Sequence, residues 1–328
     1  MYGHSQRQDF IRKNSQIRMR NLVSVIMNCY NGEKYLKESI ESVINQNYKN
    51  WELIFYDNSS NDSSKDIFFN YQKKDKRLKY FKSKKKEKLG LARLNAFKKT
   101  KGVFFLFLDC DDHILPNKLT VQTRLFKNKF VGAVYSNSMF FSKFFKKKLY
   151  KKYFIKKLSS IFYNLIENYN ISLDTVIFKR EAVEKLSQGL DPKFNLIHDL
   201  DLIIRLSKIS QIKYCPKVLS YWRAHHSSTS NNAYLRFVKE KKIFEKKIIN
   251  LYSNDTKLMK ALYQFREKYY VEECVGYLLE GNNLKAKKAL ERVKRNKFKF
   301  LLFVFSSIPF GNFFIKYLIY INKTILLR

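Results

Sequence analysis

Three aspartates fall within four positions, Asp109, Asp111 and Asp112, directly behind the most apolar run of the chain, VFFLFL at 103–108. Carboxylates so close repel one another unless a cation or several donors share the site. Hard oxygen ligands of this kind suit Mg2+ or Mn2+, which accept one or two carboxylates and complete their shell with phosphate oxygens and water. A solvated acidic turn, with Asp112 capping the next helix, is the competing reading. Polar clusters follow two other apolar runs. Asn28, Cys29, Tyr30, Asn31 and Gly32 come behind LVSVIM (22–27), and Asp57, Asn58, Ser59, Ser60, Asn61 and Asp62 behind WELIFY (51–56). A second carboxylate pair, Asp199 and Asp201, follows His198 at the mouth of an apolar helical pattern. The macrodipole and free amides of a helix N-terminus favour such groups, so capping is one role open to them. Finally, YWRAHHSS (221–228) sets Arg223 two residues before His225 and its neighbour His226.

The elements that must hold these residues alternate. Apolar runs at 22–27, 51–56, 78–81 and 103–108 read as strands, separated by helical patterns. In one of these, YLKESIESVINQ, Leu36, Ile40, Val43 and Ile44 share a face. Such alternation predicts an α/β fold with a mostly parallel, Rossmann-like sheet covered by helices on both faces. Ligands of such sheets bind outside the carboxyl ends of the strands, where the polar clusters stand. Beyond Gly132 the pattern loosens through a Phe/Lys-rich stretch at 140–157. A strand at 175–178, a helix at 198–208 and short strands near 212–214 and 218–222 follow. After Asn232 the chain turns helical and basic, with a helical hairpin over 259–295 turning at Gly281, Asn282 and Asn283. The expected organisation is a basic arm at 1–20, a domain at 21–232 and a basic α-helical region at 233–328.

Composition limits the alternatives. The chain has 328 residues, 45 % of them hydrophobic, with only 9 Gly and 4 Pro, which excludes collagen-like and Pro/Gly-rich disordered chains. Sixty-five Lys and Arg against 28 Asp and Glu give a net charge of +37, a field that favours polyanions: nucleic acid, acidic lipid headgroups or sugar diphosphates. The four cysteines form no Cys-x-x-Cys pair and read as reduced thiols of a cytoplasmic protein. No signal-peptide pattern is read in the first twenty residues. The run at 300–315 is shorter than the about 20 apolar residues a spanning helix needs, and Pro309, Gly311 and Asn312 interrupt it.

At 23–119 the sequence resembles the family 2 glycosyltransferases, inverting enzymes of the GT-A fold. VSVIMNCYNGEKYLKESIESVINQNY is similar to their opening strand and helix, WELIFYDNSSNDSS to their nucleotide-binding second strand, and LGLARLNAFKKTKGVFFLFLDCDDHILPNKL to the stretch with the D-x-D motif. Counting HDLDLIIRLS and YWRAHHSS, the resemblance extends to Ser228. It implies that Asp57 accepts from the N3–H of a uracil, with the backbone at Cys29 and Tyr30 flanking the base. Arg93 would grip oxygens of the nucleotide-sugar, Asp109 would hold the ribose and Asp111 a divalent cation bridging two phosphates. Asp112 is a further candidate. The base is expected at Asp199, with Asp201 or His198 as alternatives; the family usually writes this position Glu-Asp, where this chain has His198-Asp199. Arg223 and His225 match the family's Arg-x-His element, Arg223 for the diphosphate and His225 for the metal or leaving group. The implied reaction passes a sugar from a nucleotide-sugar, a UDP-sugar, to a hydroxyl of a glycan or lipid-linked glycan in polysaccharide biosynthesis.

Two further readings concern the charge. Interleaved aromatics and lysines at 140–154 suit a nucleic-acid-binding protein without enzymatic activity, but no recognised binding motif occurs, and the carboxylates at strand ends would repel a phosphate backbone. The apolar and basic C-terminal segment suits an anionic membrane surface, which would put the protein peripherally on the inner face of the plasma membrane. A buried helical hairpin is the alternative there.

Overall fold

The computed structural model describes residues 21–142, 145–150, 161–223, 233–294 and 299–307. The arm at 1–20, residues 143–144 and 151–157 of the Phe/Lys-rich stretch, His225 and the end of the C-terminal apolar segment lie outside them.

The described residues fall into two compact units. The first is built on a sheet whose strands open with β1 (Val23–Cys29), β2 (Trp51–Asp57), β3 (Leu78–Lys82) and β4 (Phe104–Phe107). These pair in parallel, in the spatial order β3-β2-β1-β4. Every residue of β1 and β2 is buried, as continuous apolar runs require when helices cover both faces of a sheet. Glu52 tolerates this because Ser24 Oγ (2.6 Å), Lys79 Nζ (2.5 Å) and Lys101 N (2.6 Å) all reach its carboxylate. On one face α1 (Glu33–Ile44) and α2 (Ser64–Gln72) bring Leu36, Ile40, Val43 and Phe68 onto Val25, Met27, Leu53 and Phe55. On the other, α3 (Leu89–Phe97) sets Phe97 4.8 Å from Phe105 of β4.

The sheet continues with β5 (His113–Ile114), then, past α4 (Lys118–Thr123), with β6 (Val131–Ser142), β7 (Phe145–Tyr150), β8 (Ile177–Lys179) and β9 (Gln211–Arg223). The main path runs β4-β8-β6-β9-β5, with β8 antiparallel to both neighbours, β6 parallel to β9, and β5 antiparallel to β9. The two short strands expected near 212–214 and 218–222 are one strand. Its register shifts where Pro216 stands, a residue that cannot donate to the ladder, and Asn137 Nδ2 reaches the Pro216 carbonyl at 3.2 Å. Between β8 and β9 lie α6 (Arg180–Glu184) and α7 (His198–Ile209). The approach to α7 passes so close to α3 that a Cβ on Gly90 would meet the Phe194 carbonyl oxygen at 2.2 Å. Asn195 Oδ1 also accepts from Gly90 N at 3.1 Å. That close approach fixes the start of α7.

The second unit is helical: α5 (Ile161–Glu167), α8 (Tyr234–Leu251), α9 (Thr256–Leu279), α10 (Asn283–Glu291) and α11 (Lys299–Ser307). The expected turn falls at Gly281, φ 76°, and Asn282 caps α10 by accepting from Lys285 N at 3.1 Å. Buried Glu273 takes Lys242 (2.6 Å) and Arg292 (3.1 Å). Cys274, Leu278, Ala286, Leu290, Leu302 and Phe305 form a core of their own. Among the described residues no helix is long and apolar enough to cross a membrane.

Candidate active site

The loops after β1 and β2 are laced together. Asn31 adopts φ 54°; its N–H donates to Ser60 Oγ (3.1 Å) and its Oδ1 accepts from Asn61 N (3.0 Å). Gly32 N donates to Ser64 Oγ at 2.9 Å. Asp57 belongs to this lacing. It is wholly buried, and its two oxygens accept from Ser60 N (2.7 Å) and Tyr80 Oη (2.6 Å). Burial and the Asp57 carboxylate together push the Tyr80 phenol above its ordinary range. Asp57 thus braces the loop with one bond on each oxygen, and a carboxylate oxygen can accept a second. Cys29 is buried, whereas Tyr30 is 43 % exposed, its ring 3.5 Å beneath the Lys86 ammonium.

Asp109, Asp111 and Asp112 offer carboxylate oxygens within 4.8 Å of one another. Their environments differ. Asp109 is half exposed and takes Arg93 Nη2 at 2.7 Å. Arg93, 5 % exposed on α3, turns its Nη1 to His198 Nδ1 at 2.8 Å and leaves buried Nε without a partner. Burial and the Arg93 charge hold the His198 imidazole well below its ordinary range, so Nδ1 is the acceptor of a neutral ring. Asp112 is buried and accepts from Arg223 N at 2.9 Å. Burial, with the charges of Asp111, Asp174 and Asp109, pushes its carboxyl well above the carboxylate range. The expectation that Asp112 caps the next helix is corrected: α4 begins after Asn117, and Asp112 ties the acidic loop to β9 instead. The three carboxyl groups form a hard-oxygen set that fits Mg2+ or Mn2+.

Pairing of β5 with β9 carries Arg223 to this loop. Its Nε donates to the Asp111 carbonyl at 2.9 Å, Nη2 pairs with Glu38 of α1, and the guanidinium lies 4.5 Å from the Tyr35 ring centre. His225 lies outside the described residues. At the mouth of α7, Asp199 is half-buried beside His198. Asp201 points elsewhere: it and Arg205 are both 1 % exposed and paired at 2.5 Å, and Arg205 also binds the carbonyls of Ser187 and Gly189. Contacts thus join Arg93, Asp109, Asp111, Asp112, His198 and Arg223, while Asp57 is bonded to Ser60 and Tyr80 and Asp201 to Arg205.

Sequence reasoning passed over two residues. Glu38 of α1, the partner of Arg223, carries no local sequence signal that sets it apart. Asn28, 8 % exposed in β1, has both amide atoms buried without a partner. An amide inside an otherwise apolar strand was the signal, since a buried polar group without a protein partner calls for a ligand or water.

Comparison with known proteins extends this geometry. The chain is 31 % identical over 218 residues to WfgD of Escherichia coli, a UDP-Glc:alpha-D-GlcNAc-diphosphoundecaprenol beta-1,3-glucosyltransferase, covering 65 % of this chain and 81 % of that one. Its fold is similar to that of S. aureus TarS 1-349 solved with UDP-GlcNAc, with a TM-score of 0.62 at 17 % identity over 83 % of this chain and 81 % of the other. It is also similar to the mannosyltransferase PcManGT of Pyrobaculum calidifontis in complex with GDP-Man and Mn2+, with a TM-score of 0.55 at 15 % identity over 86 % and 78 % of the two chains. The sheet is therefore a GT-A sheet, as the resemblance implied. Residues 24–187, which carry β1 to β4, the acidic loop and Arg93, match the sequence profile described as glycosyl transferase family 2, and the chain belongs to that family.

Proposed function

We propose that the chain transfers a sugar from a UDP-sugar to a hydroxyl of a lipid-linked glycan, with inversion at the anomeric carbon. The observation that supports this most is the contact series Asp109–Arg93–His198, which ties the acidic loop to the start of α7 beside Asp199. In this reading Asp109 holds the ribose and Asp111 would hold Mn2+ or Mg2+, which when bound neutralises charge on the diphosphate. Asp199 takes the proton of the acceptor hydroxyl as its oxygen attacks the anomeric carbon and the bond to the diphosphate oxygen breaks. Arg93 and Arg223 bind oxygens of the donor, Arg223 by exchanging Glu38 for phosphate, and His225 closes on the same group. Asn28, beside the backbone of Cys29 and Tyr30, offers its amide to the nucleoside, and Asp57 accepts from the uracil N3–H while it braces the receiving loop.

The UDP-sugar and the lipid-linked acceptor are favoured by WfgD, whose name specifies both for that enzyme. A membrane-borne acceptor also suits the second unit. Leu284 (67 % exposed), Leu301 and Phe303 (53 %) are exposed on α10 and α11, two helices that also carry Lys285, Lys287, Lys288 and Lys299, with Lys287 Nζ 6.0 Å from the Phe303 ring centre. Apolar side chains ringed by lysines suit the interface of an anionic bilayer, on the inner face of the plasma membrane. The test is thermal stabilisation by UDP, GDP and their sugars with and without Mn2+, followed by transfer of labelled sugar to a GlcNAc-diphospholipid. Stabilisation by UDP with Mn2+ that Asp111→Asn removes is the expected result; no response to any nucleoside diphosphate overturns the reading.

A further inference from the structure

Folding creates a cysteine pair that the sequence does not show. Cys29 closes β1 and Cys110 sits between Asp109 and Asp111, 81 residues later. A Cβ built on Gly32 would lie 2.7 Å from Cys29 Sγ and 2.8 Å from Cys110 Sγ, so the two sulfurs flank one spot that only a glycine leaves open. Both residues are held in place from outside the pair. Cys29 Sγ is 3.5 Å from Ser64 Oγ, and the Cys110 carbonyl accepts from Ser39 Oγ at 2.9 Å. Cys215 and Cys274 are buried in two other core clusters.

We propose that Cys29 and Cys110 form a reversible disulfide, closed by a small-molecule disulfide, that clamps the acidic loop to the end of β1. Half-buried Cys110 attacks one sulfur of the reagent, releasing a small thiol and leaving a mixed disulfide. Cys29 then attacks the Cys110 sulfur and expels the second small thiol. Two protein thiols lose two electrons and two protons, and the reagent gains them as two thiols. A bond of about 2.0 Å requires the sulfurs to close the gap that Gly32 borders, which displaces Asp109 and Asp111 on either side of Cys110. The consequence for donor binding rests on the proposed glycosyl transfer; the bond itself does not. A transient disulfide of this kind is the form expected in a reducing compartment.

Full-length protein is exposed to excess oxidised glutathione, alkylated, digested without reductant and weighed by mass spectrometry, with free thiols counted after unfolding. Expected are two thiols lost of four, a peptide linking positions 29 and 110, and full recovery with dithiothreitol. Cys29→Ser should stop at a glutathione adduct on Cys110, and Gly32→Ala should slow closure. Four thiols remaining, a stable adduct on Cys110 of the unaltered protein, or a link through Cys215 or Cys274 would each overturn the pair. Thermal stabilisation by UDP with Mn2+ is then read on both forms. Loss in the linked form, restored by reductant, supports the clamp, and retention overturns it. Absence in the reduced form would count against glycosyl transfer and leave the disulfide standing.

Discussion

Asp199 and Asp201 are two residues apart on one helix, yet the structure gives them separable fates under mutation. Asp201 receives Arg205 Nε at 3.1 and 3.0 Å and Nη2 at 2.5 Å, with both side chains 1 % exposed. Asp201→Ala would leave a guanidinium buried against only the carbonyls of Ser187 (3.2 Å) and Gly189 (2.7 Å). Breaking a buried pair by removing one partner costs about 3–5 kcal/mol, because the remaining charge is uncompensated. For a unit of about 200 residues that lowers Tm by roughly 6–20 °C. Asp199→Asn removes a half-buried carboxylate from the first turn, where a favourable dipole contribution is about 0.3–1 kcal/mol, so Tm should move by only a few degrees. Its turnover should fall about 10²–10⁴-fold if it is the base. Both variants are followed by scanning fluorimetry and by single-turnover transfer at a temperature where each is folded. An Asp201→Ala protein with unchanged Tm and lost turnover would reverse the two assignments. Asp199→Asn with full turnover would remove the base from α7 altogether.

Other consequences are equally direct. Burial lowers Lys118 from its ordinary 10.5 to about 7, with Asp174 and Cys215 its nearby titrating groups and Nζ without a partner. The unfolded chain binds the extra proton between those values, so this residue makes stability rise with pH from about 7 to 10.5. Lys118→Met should remove a penalty of up to about 5 kcal/mol below pH 7 and gain little near pH 10; equal Tm gains at both ends would contradict the burial argument. Arg93→Lys keeps the charge but cannot fork between Asp109 and His198, so donor affinity and turnover should fall together while Mn2+ binding to the acidic loop persists; unchanged kinetics would show that the fork is idle. Leu301→Glu with Phe303→Glu should abolish sedimentation with anionic vesicles without lowering transfer to a water-soluble acceptor, and undiminished sedimentation would move the membrane contact elsewhere.

The fold was legible wherever one run of residues carried its own pattern. The four N-terminal strands announced themselves by their apolar runs, which are buried throughout in β1 and β2, and the helices between them by their spacing of apolar residues. The acidic loop was legible for the same reason: its three aspartates are neighbours in sequence. What was not legible needed distant partners. Nothing local shows that Tyr80 and Ser60 stand on the oxygens of Asp57. The Pro216 irregularity joins two apparent strands because β6 supplies a ladder the sequence could not display. Cys29 and Cys110 meet only through the parallel pairing of β1 with β4.

The substitution of His198 for the expected acidic residue has a physical consequence for Asp199. A carboxylate at 198 would compete with Asp109 for Arg93. A neutral imidazole accepts from Nη1 and leaves Nη2 wholly to Asp109. Burial disfavours the charged ring, and protonating His198 would also bring two cations together at 2.8 Å, so burial first and Arg93 second lower the imidazole. With Asp201 neutralised by Arg205, Asp199 is left as the carboxylate of the α7 mouth that is neither fully buried nor tied into that ion pair. The ring should stay uncharged throughout pH 6–8, so the pH–rate profile should show no limb near the ordinary imidazole range. A His198→Gln variant should keep the profile's shape. A limb near pH 6.5 that this variant abolishes would mean that the ring titrates, and with it the link between Arg93 and the acidic loop.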